Sequence, residues 1–402
     1  MKKFSVLLIL ILLAQLWADD FVNLSWNNPQ ISSRYQSSWL DKNPDENLLI
    51  TRQMKPDQFA LSSLGDAWKN YIDKTDDSSF LRLNIPLQAE QAQLDLRFYG
   101  GLDFQHNFAS EENFYFYNYA VKFTGNIKNK LYYYANWYMG KYSELNSLAV
   151  NSALVDTWYQ ASSLGSGFYL DNMTAKLQFN TSVGDFAVGR GRYEIGSNIS
   201  GSIILNDQTN DYGYFSHQIE LGEFRLSFKH ATLIADSTHA QMNSTLLYYD
   251  NKLIEDKYLA THKVDWLPNQ NIHLFAGEQI VYGSRSINPS YLLPHTFMRV
   301  TEHNLRNRDN VLIFVGGNFT LFPANTLYFN LSFDELSKTE ILGDWWGNKY
   351  AFQIGNSYQL HYRQSRITAE FVAVRPWMYT HNILVNKFSH ERKALGYPDG
   401  SN

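Results

Sequence analysis

From about residue 90 onward, this chain is built of short segments in which apolar and polar residues alternate at every step. In one, Leu94, Leu96 and Phe98 share a face and Gln93, Asp95 and Arg97 share the other. In another, Ala369, Phe371 and Ala373 oppose Thr368 and Glu370. A period of two is a strand with one oily and one wet face. About a dozen such strands behind an export signal are solved most economically by an outer-membrane barrel, with lipid outside and water inside. The expected fold class is therefore all-β, a transmembrane antiparallel up-and-down β-barrel of about 14–18 strands with a short N-terminal helical segment. Function is then restricted to a pore, a surface binder or a barrel-borne enzyme.

Composition agrees. Aromatics make up 16% of the 402 residues, with 27 Tyr, 26 Phe and 10 Trp. Hydrophobic residues are only 44%, so a helical membrane protein is not indicated. Barrels combine these traits because each lipid-facing residue is matched by a wet one, while Tyr and Trp gather at the two interfaces. A net charge of −5 leaves no basic footprint for nucleic acid. The chain has no cysteine, which excludes a lipid-anchored lipoprotein, a disulfide scaffold and thiolate chemistry.

Residues 1–18 read as a signal peptide. Lys2 and Lys3 are its positive region, Phe4 to Leu13 its apolar core, and Ala18 the residue before cleavage, with Ala14 as a second candidate. Residues 19–89 form an N-terminal periplasmic segment. Within it, Ala60, Leu64, Ala67, Trp68 and Tyr71 fall at helical spacing behind Pro56 and Asp57, which predicts an amphipathic helix over 56–72 that lies at the periplasmic mouth or plugs it. The barrel occupies 90–402.

The clearest hairpin spans 212–233. With Gly222 and Glu223 as a two-residue turn, Leu221 meets Phe224, Glu220 meets Arg225, Gln218 meets Ser227 and Ser216 meets Lys229. Glycine at the first turn position suits a type II′ hairpin. Other tight turns alternate with long connections such as 143–170, 193–211, 234–256, 283–309 and 334–348, the layout of turns inside and loops outside. About thirteen strands are countable, where single-chain bacterial barrels have even numbers. Either the count is one short or, the favoured reading, closing strands are missing beyond Asn402.

No catalytic constellation stands out. The chain has no Gly-x-Ser-x-Gly elbow, no His-Glu-x-x-His helix and no phosphate-cradling loop. Gly189-Arg190-Gly191 reads as a bulge or strand exit. An enzyme, a metal site and a cofactor are accordingly not expected.

Aromatics in the long loops carry more information. Trp345-Trp346-Gly347 lies beside Asp344 and Asn348, and Arg375 to His381 contains Trp377 and Tyr379. Sugar C–H faces stack on such rings while hydroxyls pair with neighbouring polar groups. Trp345, Trp346, Trp377, Tyr379, His381 and Arg375 are thus the candidate polysaccharide site, although Trp and Tyr also form interfacial girdles. Arg285, Arg299, Arg306 and Arg308 share one loop, either as a contact for acidic sugars or lipopolysaccharide phosphate, or as a solvated charged loop. The lumen is expected to carry Arg97, Lys122, Lys176, Glu220, Arg225, Lys229 and Glu370. Those charges suit a diffusion porin, the alternative function. Phe114, Phe116, Tyr132 and Tyr134 share the inner face and argue for a blocked lumen.

Several stretches together resemble the Wzi-type capsule assembly outer-membrane proteins. They are Gly189-Arg190, Tyr258-Leu259-Ala260-Thr261-His262, Glu278, Tyr282-Gly283, Tyr291-Leu292-Leu293-Pro294, Asp309-Asn310, the Arg375 to His381 run and Leu395-Gly396-Tyr397-Pro398. The resemblance implies a non-enzymatic, lectin-like barrel in the outer membrane of a Gram-negative-type bacterium. Its partners would be capsular or other surface polysaccharide, outer-membrane lipid and lipopolysaccharide, and the barrel assembly machinery during folding.

Overall fold

The computed structural model describes residues 81–398 apart from 90–91, 108–111, 129, 143–161, 164–167, 237–254, 295, 307, 323–324, 336–346, 360–365 and 392. The expected signal at 1–18, the segment up to residue 80 with its expected helix at 56–72, and the Trp345-Trp346 pair lie outside the described residues.

One antiparallel sheet contains β1 (Leu81–Ala89), β2 (Ala92–Asn107), β3 (Glu112–Ile127), β4 (Leu131–Tyr142), β6 (Phe168–Thr181), β7 (Gly184–Gly191), β8 (Tyr212–Leu221), β9 (Phe224–Ile234), β10 (Asp256–Asn269), β11 (Ile272–Gly283), β12 (Asn310–Phe322), β13 (Asn325–Glu335), β14 (Lys349–Gln359) and β15 (Arg366–Val374). The two-residue β5 (Ser162–Ser163) pairs beside β6. Every long strand pairs with its neighbours in sequence, and β1 and β15 are the two edges among the described residues. This is an up-and-down meander.

Among the described residues the sheet begins at Leu81, ahead of the expected start near residue 90. In the β1–β2 register Leu83 faces Phe98, Ile85 faces Leu96 and Leu87 faces Leu94. The oily face of β2 therefore continues onto β1. The 212–233 hairpin has the expected register throughout, from Leu221 opposite Phe224 to Ser216 opposite Lys229. Gly222 has φ +60°, which a type II′ turn requires of its first central residue.

The two faces of the sheet are inverted relative to a soluble protein. Trp137, Met173, Leu177, Val188, Leu226, Val264, Ile313, Ile354 and Phe371 are exposed on the outer face. Gln178, Arg225, Asp265, Gln279, Asn330 and Gln353 are buried on the inner one. Water would penalise that exterior and an apolar core that interior, whereas lipid outside and a polar lumen satisfy both. This is the architecture of a transmembrane β-barrel.

Glycines on the inner face seat aromatic rings from the next strand. Gly277 lies opposite Phe314 and Gly316 opposite Phe275, while Gly355 lies opposite Tyr328. A Cβ at these glycines would come within 2.5, 2.3 and 2.2 Å of the ring concerned. Each ring lies across its neighbouring strand, which only a residue without a side chain permits.

The connection 192–211 folds into the interior. Ser197 Oγ donates to Asn318 on β12 (2.8 Å), and Asn330 on β13 donates to the Ser197 carbonyl (2.7 Å). Gln353 on β14 donates to the Gly201 carbonyl (3.0 Å). At the other end of the connection, Asn172 on β6 donates to Asp211 (2.5 Å). One short segment reaches strands far apart in the sheet order, so the sheet curls around it. Glu370 on β15 holds the tip, accepting from the backbone N–H of Ile199 (2.8 Å) and Ser200 (3.0 Å), the Ser200 hydroxyl (2.5 Å), Gln353 (3.0 Å) and the Tyr328 hydroxyl.

The chain after β15 folds over this insert from the loop end. The Tyr379 hydroxyl donates to the Ile203 carbonyl (2.6 Å), and the Asn206 N–H donates to the Leu395 carbonyl (2.7 Å). Ile203, Ile204, Leu205, Met378, Tyr379, Phe388 and Leu395 form one buried cluster with inner-face Leu259, Val281, Leu312 and Ala351. Burying each such side chain contributes about 1.5–3 kcal/mol. Together the two segments make a buried apolar plug against β9–β12 and β14 at the loop end of the interior.

A second packing unit lies on the outer face. Tyr258, Ala260, Ile280, Tyr282 and Val311 pack with Tyr291 and Met298 from the connection 284–309. That connection contains α1 (Met298–Asn304), whose N-terminal residue Phe297 supplies no side-chain cap. Glu278 on β11 caps it instead, accepting from the N–H groups of Met298 (2.6 Å) and Arg299 (3.2 Å). A carboxylate at a helix start satisfies free donors and the helix dipole together.

Candidate functional site

Below the plug, at the end of the short turns, lies a cavity of about 1000 Å³. It reaches from the turns at Gly222 and Gln270 up to Tyr193, Glu194 and Ser197 of the insert. Alternation directs every second side chain of the surrounding strands into it. Lys122 on β3, Tyr134 on β4, Lys176 on β6, Glu220 on β8, Arg225 and Lys229 on β9, Lys263 and Asp265 on β10 and His273 on β11 all line it.

Most of these charges are paired. Asp265 accepts from Lys263 (2.9 Å), and His273 Nε2 lies 2.8 Å from the same oxygen. Arg225 reaches Glu220 at 3.4 Å, the pair set by the hairpin register. Arg192 holds Asp211 at 3.1 Å. Glu194 accepts from Asn198 (2.5 Å), and burial, reinforced by Asp207, pushes its carboxyl well above the usual carboxylate range.

Lys229 differs. Its ammonium lies 3.3 Å from the centre of the Tyr193 ring and 4.2 Å from that of Tyr214. Among the described residues it forms no ion pair, and Lys176 and Lys263 are like-charged neighbours. Two ring faces partly replace the missing counter-charge. Tyr214 is set there by Gly189, its cross-strand partner, where a Cβ would lie 2.8 Å from the ring. Beside Lys229, the hydroxyls of Ser227 and Thr261 also line the cavity and have no hydrogen-bond partner among the described residues.

Of the other residues singled out from the sequence, Glu370 is the anchor of the plug, and the side chain of Arg97 lies outside the described residues. Tyr132 is buried on β4. At the loop end the expected rim cluster separates. Tyr379 is fully buried, and its ring is a plug residue that cannot stack on an external sugar. Trp377 is 56% exposed. Its φ of +67°, followed by +71° at Tyr379, is uncommon for bulky residues and turns one ring outward and the other inward. The Arg375 guanidinium lies 5.8 Å from the centre of the Tyr350 ring. His381 accepts from the N–H of Ile383 (3.1 Å), and burial pushes its imidazole below the ordinary value.

Two of the four arginines of the loop are ion-paired within it. Arg285 pairs with Asp309 (2.5 Å) and Arg299 with Glu302 (3.1 Å). Asp309 also accepts from the Tyr291 hydroxyl (2.7 Å), and burial together with that bond raises the phenol's pKa. Tyr258, Tyr282, Tyr291, Glu278 and Asp309, separated in sequence, meet in this outer-face clasp.

No protein-family profile and no curated protein matches the sequence. Among solved structures, the chain is similar to Salmonella typhi OmpF in complex with daunomycin, at 9% identity and a TM-score of 0.32 over 74% of this chain and 94% of that one. It is also similar to a Pseudomonas aeruginosa FadL homologue, at 11% identity and a TM-score of 0.24 over 76% and 72%. Both superpose loosely, and the architecture stands on the chain's own strand order and inverted faces.

Proposed function

We propose that this chain is an outer-membrane barrel that holds capsular or other surface polysaccharide at its loop end and does not serve as an open diffusion channel. The plug carries this reading. Ile203, Ile204, Leu205, Tyr379, Phe388 and Leu395 are packed without exposure where a porin needs an open mouth. With that cluster occupying the loop end, the work of this end is recognition. Trp377 supports a glycan surface there, because strained backbone presents an exposed indole above a buried cluster and such strain concentrates at binding positions. Arg375 and His381 flank it in sequence, and Trp345 and Trp346 are further candidates by composition.

The test is saturable binding of the folded barrel to the surface polysaccharide of its own cell, with an unrelated glycan as control. Wild type is expected to bind selectively, and Trp377→Ala to lose at least about tenfold in affinity with unchanged heat-modifiable gel mobility. Steady single-channel conductance without glycan binding would sink the proposal and favour a porin.

A further inference from the structure

The cavity at the turn end, on the far side of the plug from the loop-end surface, is built for a ligand of its own. We propose that it binds a small hydroxylated oxyanion of the sugar-acid class, with the carboxylate held at the ammonium of Lys229. A lone ammonium inside a protein wall is costly unless it is paired. The carboxylates around it do not pair it. Asp265 is taken by Lys263 and His273, Asp211 by Arg192, and Glu220 by Arg225. Glu194 is taken by Asn198. Lys176 and Lys263 line the same wall, so a carboxylate entering here supplies the counter-charge that Lys229, fixed between two rings, lacks.

The surroundings suit an oxyanion that also carries hydroxyls. Thr261 lies directly opposite Lys229 in the β9–β10 register and Ser227 opposite Lys263. These four residues form one inner-face patch with neighbouring Cβ atoms about 4.5–5.5 Å apart. Its two hydroxyls have no partner among the described residues and can donate to the carboxylate or accept from the sugar. Tyr134 and Phe275 in the same wall offer apolar surface for a sugar ring. The volume lies at the upper end of small-molecule sites and accommodates a monosaccharide acid entering from the turns.

The experiment is isothermal titration calorimetry on the full-length folded barrel in detergent, with glucuronate as probe and glucose as its uncharged counterpart. Saturable heat is expected for glucuronate and not for glucose. Lys229→Met is expected to weaken glucuronate at least about tenfold, Lys229→Arg to restore most of the affinity, and Thr261→Val to weaken it less than Lys229→Met. Each variant is first checked for wild-type heat-modifiable mobility. If Lys229→Met fails that check, the Arg and Val variants carry the test. No saturable glucuronate binding, equal binding of glucose, or full affinity in Lys229→Met or in Thr261→Val would overturn the proposal. Any of these leaves the loop-end reading standing, since that rests on a polymer bound at the opposite end.

Discussion

The same strands line both halves of the interior, yet the halves differ in kind. Toward the loops, Leu259 and Val281 meet Ile204, Tyr379 and Phe388 in a dry cluster. Toward the turns, the same β10 and β11 present Lys263, Asp265 and His273 to a cavity. The boundary is the 192–211 insert, which is apolar on one side at Ile203-Ile204-Leu205 and polar on the other at Tyr193-Glu194. The inner face of a barrel is thus not uniformly wet. Its chemistry at each height follows whatever is folded against it.

The largest expected effect breaks the dry half. Ile204→Ala combined with Leu205→Ala removes buried apolar volume, at about 2–5 kcal/mol per site. We expect a lower melting temperature and the appearance of conductance in planar bilayers. Silent bilayers together with unchanged melting would show that this packing is not the seal. Glu370→Ala tests whether the insert is anchored separately from the sheet. It strands the Ile199 and Ser200 donors and is expected to cost about 2–3 kcal/mol, with new protease cleavage within 196–202. Protection equal to wild type would remove Glu370 as the anchor. The smallest effect sharpens the boundary. Because the folded Glu194 carboxyl titrates above its unfolded value, stability is lost as pH rises from the usual glutamate range through the higher folded value. Glu194→Gln should therefore raise the melting temperature at neutral pH and leave it unchanged in acid, where the carboxyl is protonated in both states. An equal gain at both pH values would point to another cause.

What the sequence disclosed depended on whether the determining contact was local. The 212–233 hairpin was legible because its turn residues and alternation lie within one short stretch. β1 has the same alternation from Leu81 to Leu87, but Pro86 interrupts it, and proline is accommodated in a sheet mainly at edges, where β1 lies. The insert was hidden because its folding inward depends on Asn318, Asn330 and Glu370, more than a hundred residues away. Its one signal was Ile203-Ile204-Leu205, an apolar run without strand period in a polar connection. Tyr379 was read as a rim residue for the same reason, since its partner Ile203 is distant. The arginine loop hid its ion pairs, because Arg285 meets Asp309 only once the loop has closed. Lys229 was visible as a wet-face residue, but half of its cage comes from Tyr193, which lies outside any strand.

The glycine seats along the inner face have a consequence for the bore. With Gly277, Gly316 and Gly355 in place, the rings of Phe314, Phe275 and Tyr328 recline against the wall. Adding one methyl at Gly316 or Gly355 would displace the opposite ring, and at Gly277 it would also meet the His262 carbonyl oxygen at 2.2 Å. The clear diameter is therefore governed by residues that contribute no side chain, and relatives of this barrel could widen or narrow their interiors by exchanging glycine and alanine while every charged group stays in place.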